Sequence, residues 1–369
     1  MSARGSPADA MGSLGSWLLV VACRAQRAAL PRLVLHVGSH KTGTTFAQRF
    51  LVNGVDDLGV ACVACAHEKE AAVLPAVLLN ATSGPSVRYD DRRAFDAVVA
   101  EIRRGAAERP ATPMVLSAEG LGRLAPAQWR ALREALGGGV KSVVLVHAHR
   151  GLASWARAMW ATVAADRSFG EFLADTGAWA RVGARLTALL GTVVRNWPGA
   201  SLESVSYDAL AEKNSSVPEY LICRAARRLR GAPLRACRAR VRAKAARVDR
   251  ANVSPSAAAV DARRLARAVY LSRLAAAGCR EERGAWRPSW AAAARVAKQL
   301  PLACGADDSL LRSLARDGDN AWAAASGARP PRAEPPWRAC LVDTARLELR
   351  HYALLNALVD RDAPPCGGA

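Results

Sequence analysis

The chain has 369 residues, and 51% of them are apolar, enough to build a core for one large domain or two small ones and to exclude wholesale disorder. Its net charge of +20 favours an anionic partner, whether a polyphosphorylated nucleotide, an acidic glycan, nucleic acid or a membrane surface, although arginine in an Ala- and Gly-rich chain raises charge without any binding role. Nine cysteines, an odd number, exclude complete internal pairing.

In chain order, the run Trp17-Leu18-Leu19-Val20-Val21-Ala22-Cys23 comes first. It is too short for a comfortable bilayer span but suits the apolar core of a signal peptide, with small residues at Ala22, Cys23 and Ala25. Only Arg4 precedes it as a cation, and Asp9 balances that charge. Residues 1–30 are therefore read as an N-terminal segment with signal-peptide features. The expected location is the secretory pathway, in the Golgi lumen, with the cytoplasm as the alternative. Sequons at Asn80, Asn214 and Asn252 are compatible with either.

The most informative stretch follows: Leu33-Val34-Leu35-His36-Val37-Gly38-Ser39-His40-Lys41-Thr42-Gly43-Thr44-Thr45. An apolar β run feeds a turn with two glycines, then hydroxyl residues, then the helical pattern of residues 46–51. This is a phosphate cradle, in which backbone N–H groups and a helix N-terminus face one anion. A nucleoside-triphosphate loop places lysine directly after the second glycine, but Thr44 fills that position here and the lysine precedes the glycine as Lys41. Neither following apolar strand ends in the Asp expected of a Mg-binding partner strand, so the loop is built for phosphate but not for Mg-ATP.

Beyond the loop, a helix is expected over 46–58, a short apolar run over 60–63 and helices over 68–79 and 95–107. Cys62-Val63-Ala64-Cys65 has no second pair at zinc-ribbon spacing and is read as ordinary small residues in a half-buried segment, ahead of a zinc or redox site. A strand at 114–116 runs into Ser117-Ala118-Glu119-Gly120. A helix over 126–136 then precedes a buried strand at 143–146 that ends in His147 to Arg150. This alternation predicts a parallel α/β sheet with its sites at the strands' C-terminal ends. Further on come a basic helix between Arg224 and Arg250, a Pro/Arg-rich linker at 329–336 and an amphipathic helix over 340–359. No internal repeat is present.

The string His36-Val37-Gly38-Ser39-His40-Lys41-Thr42-Gly43-Thr44-Thr45 resembles the 5′-phosphosulfate loop of the PAPS-dependent sulfotransferases, in the branch whose loop runs H-x-G-x-H-K-T-G-T-T. The donor of that family is 3′-phosphoadenosine 5′-phosphosulfate. The resemblance implies a P-loop-type three-layer α/β fold, with a central, mostly parallel sheet flanked by helices. Its domain would span 31–328, followed by a loop and C-terminal helix at 329–369. It further implies donor binding by Ser39, His40, Lys41, Thr42, Gly43, Thr44 and Thr45, with Lys41 catalytic. An ammonium near the bridging oxygen stabilises the charge that grows there as the sulfuryl group leaves.

In the same family the second strand end carries the base, which falls on Glu119, with Ser117 in support and His147 and His149 as alternatives. The third begins the 3′-phosphate site, which falls on Arg150. The family's serine two turns later is Ala158 here, so Ser154, one turn earlier, or Arg157 would stand in. Weaker likenesses cover Leu202 to Leu210 with its Tyr207-Asp208 turn, Arg250 to Pro255, and Ser309 to Ala325. The expected activity is sulfuryl transfer from PAPS to a hydroxyl or amine of an acceptor, an anionic glycan being favoured. Metal and nucleic acid are not expected, and membrane association is left open. A P-loop kinase and a non-catalytic sulfotransferase-like polyanion binder are the rival readings.

Overall fold

The computed structural model describes residues 32–38, 43–66, 72–80, 89–140, 142–163, 169–175, 182–248, 257–276, 289–304, 309–327, 340–342 and 344–360. Its centre is a sheet of five strands: β1 Arg32–His36, β2 Ala61–Cys62, β3 Met114–Ser117, β4 Ser142–His149 and β5 Ala200–Ser206. They lie in the order β2-β3-β1-β4-β5, and every neighbouring pair is parallel, so the expected mostly parallel sheet is parallel throughout. Parallel strands need crossover connections that cover both faces, which is why β3 and β4 read as unbroken apolar runs rather than alternating ones.

Each face has its own core. Leu33, Leu35, Val37, Met114, Leu116, Val143 and Leu145 point to one side. There they meet α2 (Val73–Asn80), α3 (Tyr89–Glu108), α4 (Pro126–Leu136) and α7 (Val182–Arg195) through Leu74, Ile102, Trp129, Leu132 and Leu190. Val34, Val115, Val144, Val146 and Ala148 point to the other side. They pack on α1 (Thr44–Val52), α8 (Tyr207–Glu212), α9 (Val217–Glu219), a π-helical turn (Tyr220–Ala226) and α10 (Gly231–Ala245), with Phe50, Leu221 and Ile222 at the centre. The result is a three-layer α/β fold.

Two satellite clusters extend it. One joins α5 (Leu152–Val163) and α6 (Phe169–Asp175) around Trp155, Met159 and Trp160. The other joins α11 (Ala257–Ala276), α12 (Trp290–Ala297) and α14 (Leu349–Asp360) with the antiparallel pair β6 (Leu302–Cys304) and β7 (Cys340–Val342). Helix α13 (Ser309–Ser326) lies between β6 and β7 in the chain.

Three expectations are corrected. The helix over 46–58 stops at Val52, because Gly54 turns left-handed at φ 80° and residues 56–58 form a separate 3₁₀ turn. The single basic helix from Arg224 is broken: the π-helical turn ends at Ala226, Arg228 takes a left-handed φ of 49°, and α10 starts afresh at Gly231. The continuous helix over 340–359 begins instead as β7, since Cys340-Leu341-Val342 finds a strand partner in 302–304. A new helix starts at Leu349, where His351 Nδ1 accepts the Glu348 backbone N–H at 2.8 Å. A helical period read from sequence cannot see a partner strand that is distant in the chain.

Candidate functional site

The strand order puts the sheet's switch point beside β1: the chain leaves β1 toward β2 and β3, then crosses to β4 on its other edge. Ligands of open α/β sheets sit in the crevice beyond the C-terminal ends of the strands at such a point. Here the neighbours β1 and β4 end in the glycine loop and in Arg150 respectively. The backbone of Val37 still bonds to β4, its N–H donating to the Val146 carbonyl at 2.8 Å, and the turn begins at Gly38. Ser39, His40, Lys41 and Thr42 lie outside the described residues.

Gly43 opens α1 in a left-handed conformation, φ 79° and ψ 12°, and a Cβ added there would come within 2.9 Å of Tyr207 Cε2. Both backbone freedom and close approach therefore require glycine. Thr44 is buried and Thr45 half-buried in the first turn of α1. That turn holds no acidic residue, so its positive end is not offset from within the helix.

Tyr207, just after β5, lies between Gly43 and Arg150. Its ring lies against Gly43 on one part, and the Arg150 guanidinium carbon stands 5.4 Å from its centroid. Ser154, one turn along α5, accepts a hydrogen bond from Arg150 Nε, and its hydroxyl lies 3.5 Å from Asp208 Oδ1. The other oxygen of Asp208 accepts the Gly151 N–H at 2.6 Å. Ser154 is 4% exposed, so its hydroxyl works inward to aim Arg150. Ala158 is buried in the same helix, and the Arg157 side chain lies outside the described set.

A second carboxylate completes the clamp on α5. Asp319 Oδ1, from α13, accepts the Leu152 N–H at 3.2 Å and lies 3.1 Å from His149 Nε2. The His149 ring stacks on Trp322 at 4.3 Å between centroids, and Trp322 Nε1 donates to Ser204 Oγ at 3.1 Å. The first turn of α5 is thus closed by protein carboxylates, whereas the first turn of α1 holds no acidic residue.

Beside β1, His36 Nδ1 pairs with Ser117 Oγ at 2.8 Å, and Gln48 of α1 donates to the Ser117 carbonyl at 3.0 Å. The C-terminal end of β3 is so tied to both β1 and α1, the elements that flank the glycine loop. Glu119 follows two residues later, half-buried at the start of a 3₁₀ turn, on the same edge of the sheet. Burial pushes the His36 imidazole down to about 4. His147 is pushed down to about 3, chiefly by burial and then by the neighbouring His149 and His36, and it meets Thr187 at 3.0 Å under the sheet. Both rings are neutral fixtures of the core near pH 7, and His149 is engaged by Asp319 and Trp322. Of the candidates named for the base, Glu119 is half-buried at the strand's end while His36, His147 and His149 are buried.

The structure joins Gly43, Thr44, Arg150 and Ser154 into one neighbourhood. It also brings in Tyr207, Asp208, Asp319 and Trp322, residues whose roles the sequence did not reveal although they sit in the segments marked at 202–210 and 309–325. The signal that could have exposed Tyr207 is its place at the end of a strand parallel to β4.

Three cations of the basic segment are engaged within the fold. Glu219, 3% exposed, takes Arg242 at 3.1 and 3.2 Å and Arg238 at 3.8 Å, while Lys244 holds Asp57 at 2.7 Å and lowers its carboxyl's pKa mainly through that hydrogen bond. Helix α10 buries Cys237 and Val241 beneath these cations. Cys237 is bridged to Cys223, and Cys62 to Cys65, so the C-x-x-C expected to hold ordinary small residues is a disulfide. Among the described residues no group of three or more His, Cys, Asp or Glu is placed to hold a metal ion, and no helix is long and apolar enough to cross a membrane. A scan against protein-family models finds no match to this sequence, and a search of curated proteins finds none.

Proposed function

We propose that this protein is a PAPS-dependent sulfotransferase acting on a hydroxyl or amine acceptor, with an anionic glycan the favoured acceptor class. The observation that carries the reading is the meeting of the glycine loop and Arg150 across one tyrosine, at the ends of adjacent parallel strands. That gives two anion-binding elements on one crevice, as a donor with phosphates at both its 5′ and 3′ positions requires.

In this scheme Thr44, Thr45 and the start of α1 hold the 5′-phosphosulfate, and Arg150, aimed by Ser154 and Tyr207, takes the 3′-phosphate. Lys41, which precedes Gly43 in the sequence, is the residue assigned to the charge on the bridging oxygen. The acceptor oxygen attacks sulfur, the S–O bond to the 5′-phosphate breaks, and adenosine 3′,5′-bisphosphate departs with the negative charge that Lys41 stabilises. Glu119 accepts the acceptor's proton. The reaction needs no metal in this scheme. In the basic segment Arg238, Arg242 and Lys244 are engaged within the molecule, while Arg235 and Arg247 are exposed, so a polyanion-binding protein stays the second reading.

The test is incubation with PAPS labelled in its sulfuryl group and a panel of glycans, lipids and phenols. Label should pass to at least one acceptor, and Glu119→Gln should lower kcat by about a hundredfold with little change in donor affinity. Transfer of phosphoryl from Mg-ATP to an acceptor without any transfer from PAPS would turn the reading to a kinase.

A further inference from the structure

The ladder between β6 and β7 sets Cys304 directly opposite Cys340. Directly opposed residues of an antiparallel pair have Cα atoms about 4.5–5.5 Å apart, inside the range of about 4.4–6.8 Å over which disulfides form. From this juxtaposition we propose that Cys304 and Cys340 form a third disulfide, closing the chain from β6 to β7 into a ring. The inference is independent of the proposed activity.

The register that sets the pair is held from outside the hairpin. The Val342 N–H donates to Asp261 Oδ2 at 3.0 Å, and the other Asp261 oxygen takes Arg264 at 2.8 Å, so β7 is anchored on α11. Val342 itself packs among Ala258, Ala262, Leu355 and Leu358. Burial and the Asp261 bond fix β7, and the ladder that places Leu302 opposite Val342 and Ala303 opposite Leu341 sets 304 against 340. The pairs Cys62–Cys65 and Cys223–Cys237 are already bridged, and the third bridge would leave Cys23, Cys279 and Cys366 unassigned.

The closed ring contains α13, whose Asp319 and Trp322 clamp Leu152 and His149 next to Arg150. Two strands of three residues are a weak attachment for that helix, and a covalent tie would restrict its departure from the end of β4. Formation is a thiol–disulfide exchange. Two S–H bonds are lost and one S–S bond is made, while a small-molecule disulfide such as oxidised glutathione takes the two electrons and two protons and becomes two thiols.

Peptide mapping tests the pairing directly. The folded full chain is equilibrated with excess oxidised glutathione, alkylated without reductant and digested with trypsin. Each cysteine falls in its own peptide, residues 299–312 and 339–346. The proposal predicts these two peptides linked to each other, separating on reduction. Cys279→Ser should leave the link in place, whereas Cys304→Ser should leave Cys340 as a glutathione adduct. Against the Cys304→Ser protein, the oxidised wild type should melt roughly 5–10 °C higher. Recovery of either peptide alkylated, carrying glutathione in the wild type, or joined to Cys279 or Cys366 would overturn the proposal. If a variant fails to fold, the wild-type map alone distinguishes these outcomes.

Discussion

Arg150 is held in a fixed direction by two contacts that only a guanidinium can make together: a hydrogen bond from Nε to Ser154 and a stack over Tyr207. Lysine would keep the charge and lose both. Arg150→Lys is therefore expected to weaken adenosine 3′,5′-bisphosphate binding about tenfold or more, read by calorimetric titration, with the melting temperature nearly unchanged. An unaltered Kd would remove Arg150 from the donor site. At this scale the sequence is a partial guide. The placement of Gly43, Thr44 and Arg150 at strand ends was legible because each sits in a local pattern of strand, turn and helix start. Tyr207, Asp208 and Asp319 were not, since their importance comes from strand neighbours and a helix that folding alone brings alongside β4.

Among the elements, those with a self-contained signal were readable in advance. Helix α4 runs from Pro126 to Leu136, as the proline at its start and the glycines after it foretold, and the buried strand at 143–146 lies within β4. Where the reading failed, a long-range partner decided the outcome. Residues 340–342 became a strand because 302–304 lay opposite. The arginine-rich segment divided at residues 227–230, where the Leu229 N–H turns back to the Cys223 carbonyl at 2.9 Å. Its charges found the buried Glu219 and the exposed Asp57, partners that composition could not name.

For the molecule as a whole, two histidines are buried in neutral form on the central strands, and they couple stability to pH. His36 and His147 fall from 6.5 to about 4 and about 3 in the fold. Below pH 6.5 the unfolded chain takes up protons that the folded chain refuses, so their contribution is full above pH 6.5 and is lost progressively toward pH 4 and below. Urea unfolding should show stability declining over that window by up to about 1.4 kcal/mol per pH unit for each group. His36→Asn should flatten the decline relative to the wild type, and an unchanged slope would show that His36 is not held neutral in the core.

The measurement that bears most directly on the whole account is a titration of wild type and Lys41→Ala with adenosine 3′,5′-bisphosphate and, separately, with Mg-ATP. The wild type should bind the bisphosphate at least tenfold more tightly than Mg-ATP. Near a hundredfold excess of ligand over Kd, its melting temperature should rise by a few degrees, and Lys41→Ala should lose most of that response. Equal or tighter binding of Mg-ATP, or indifference to the bisphosphate in the wild type, would contradict the account.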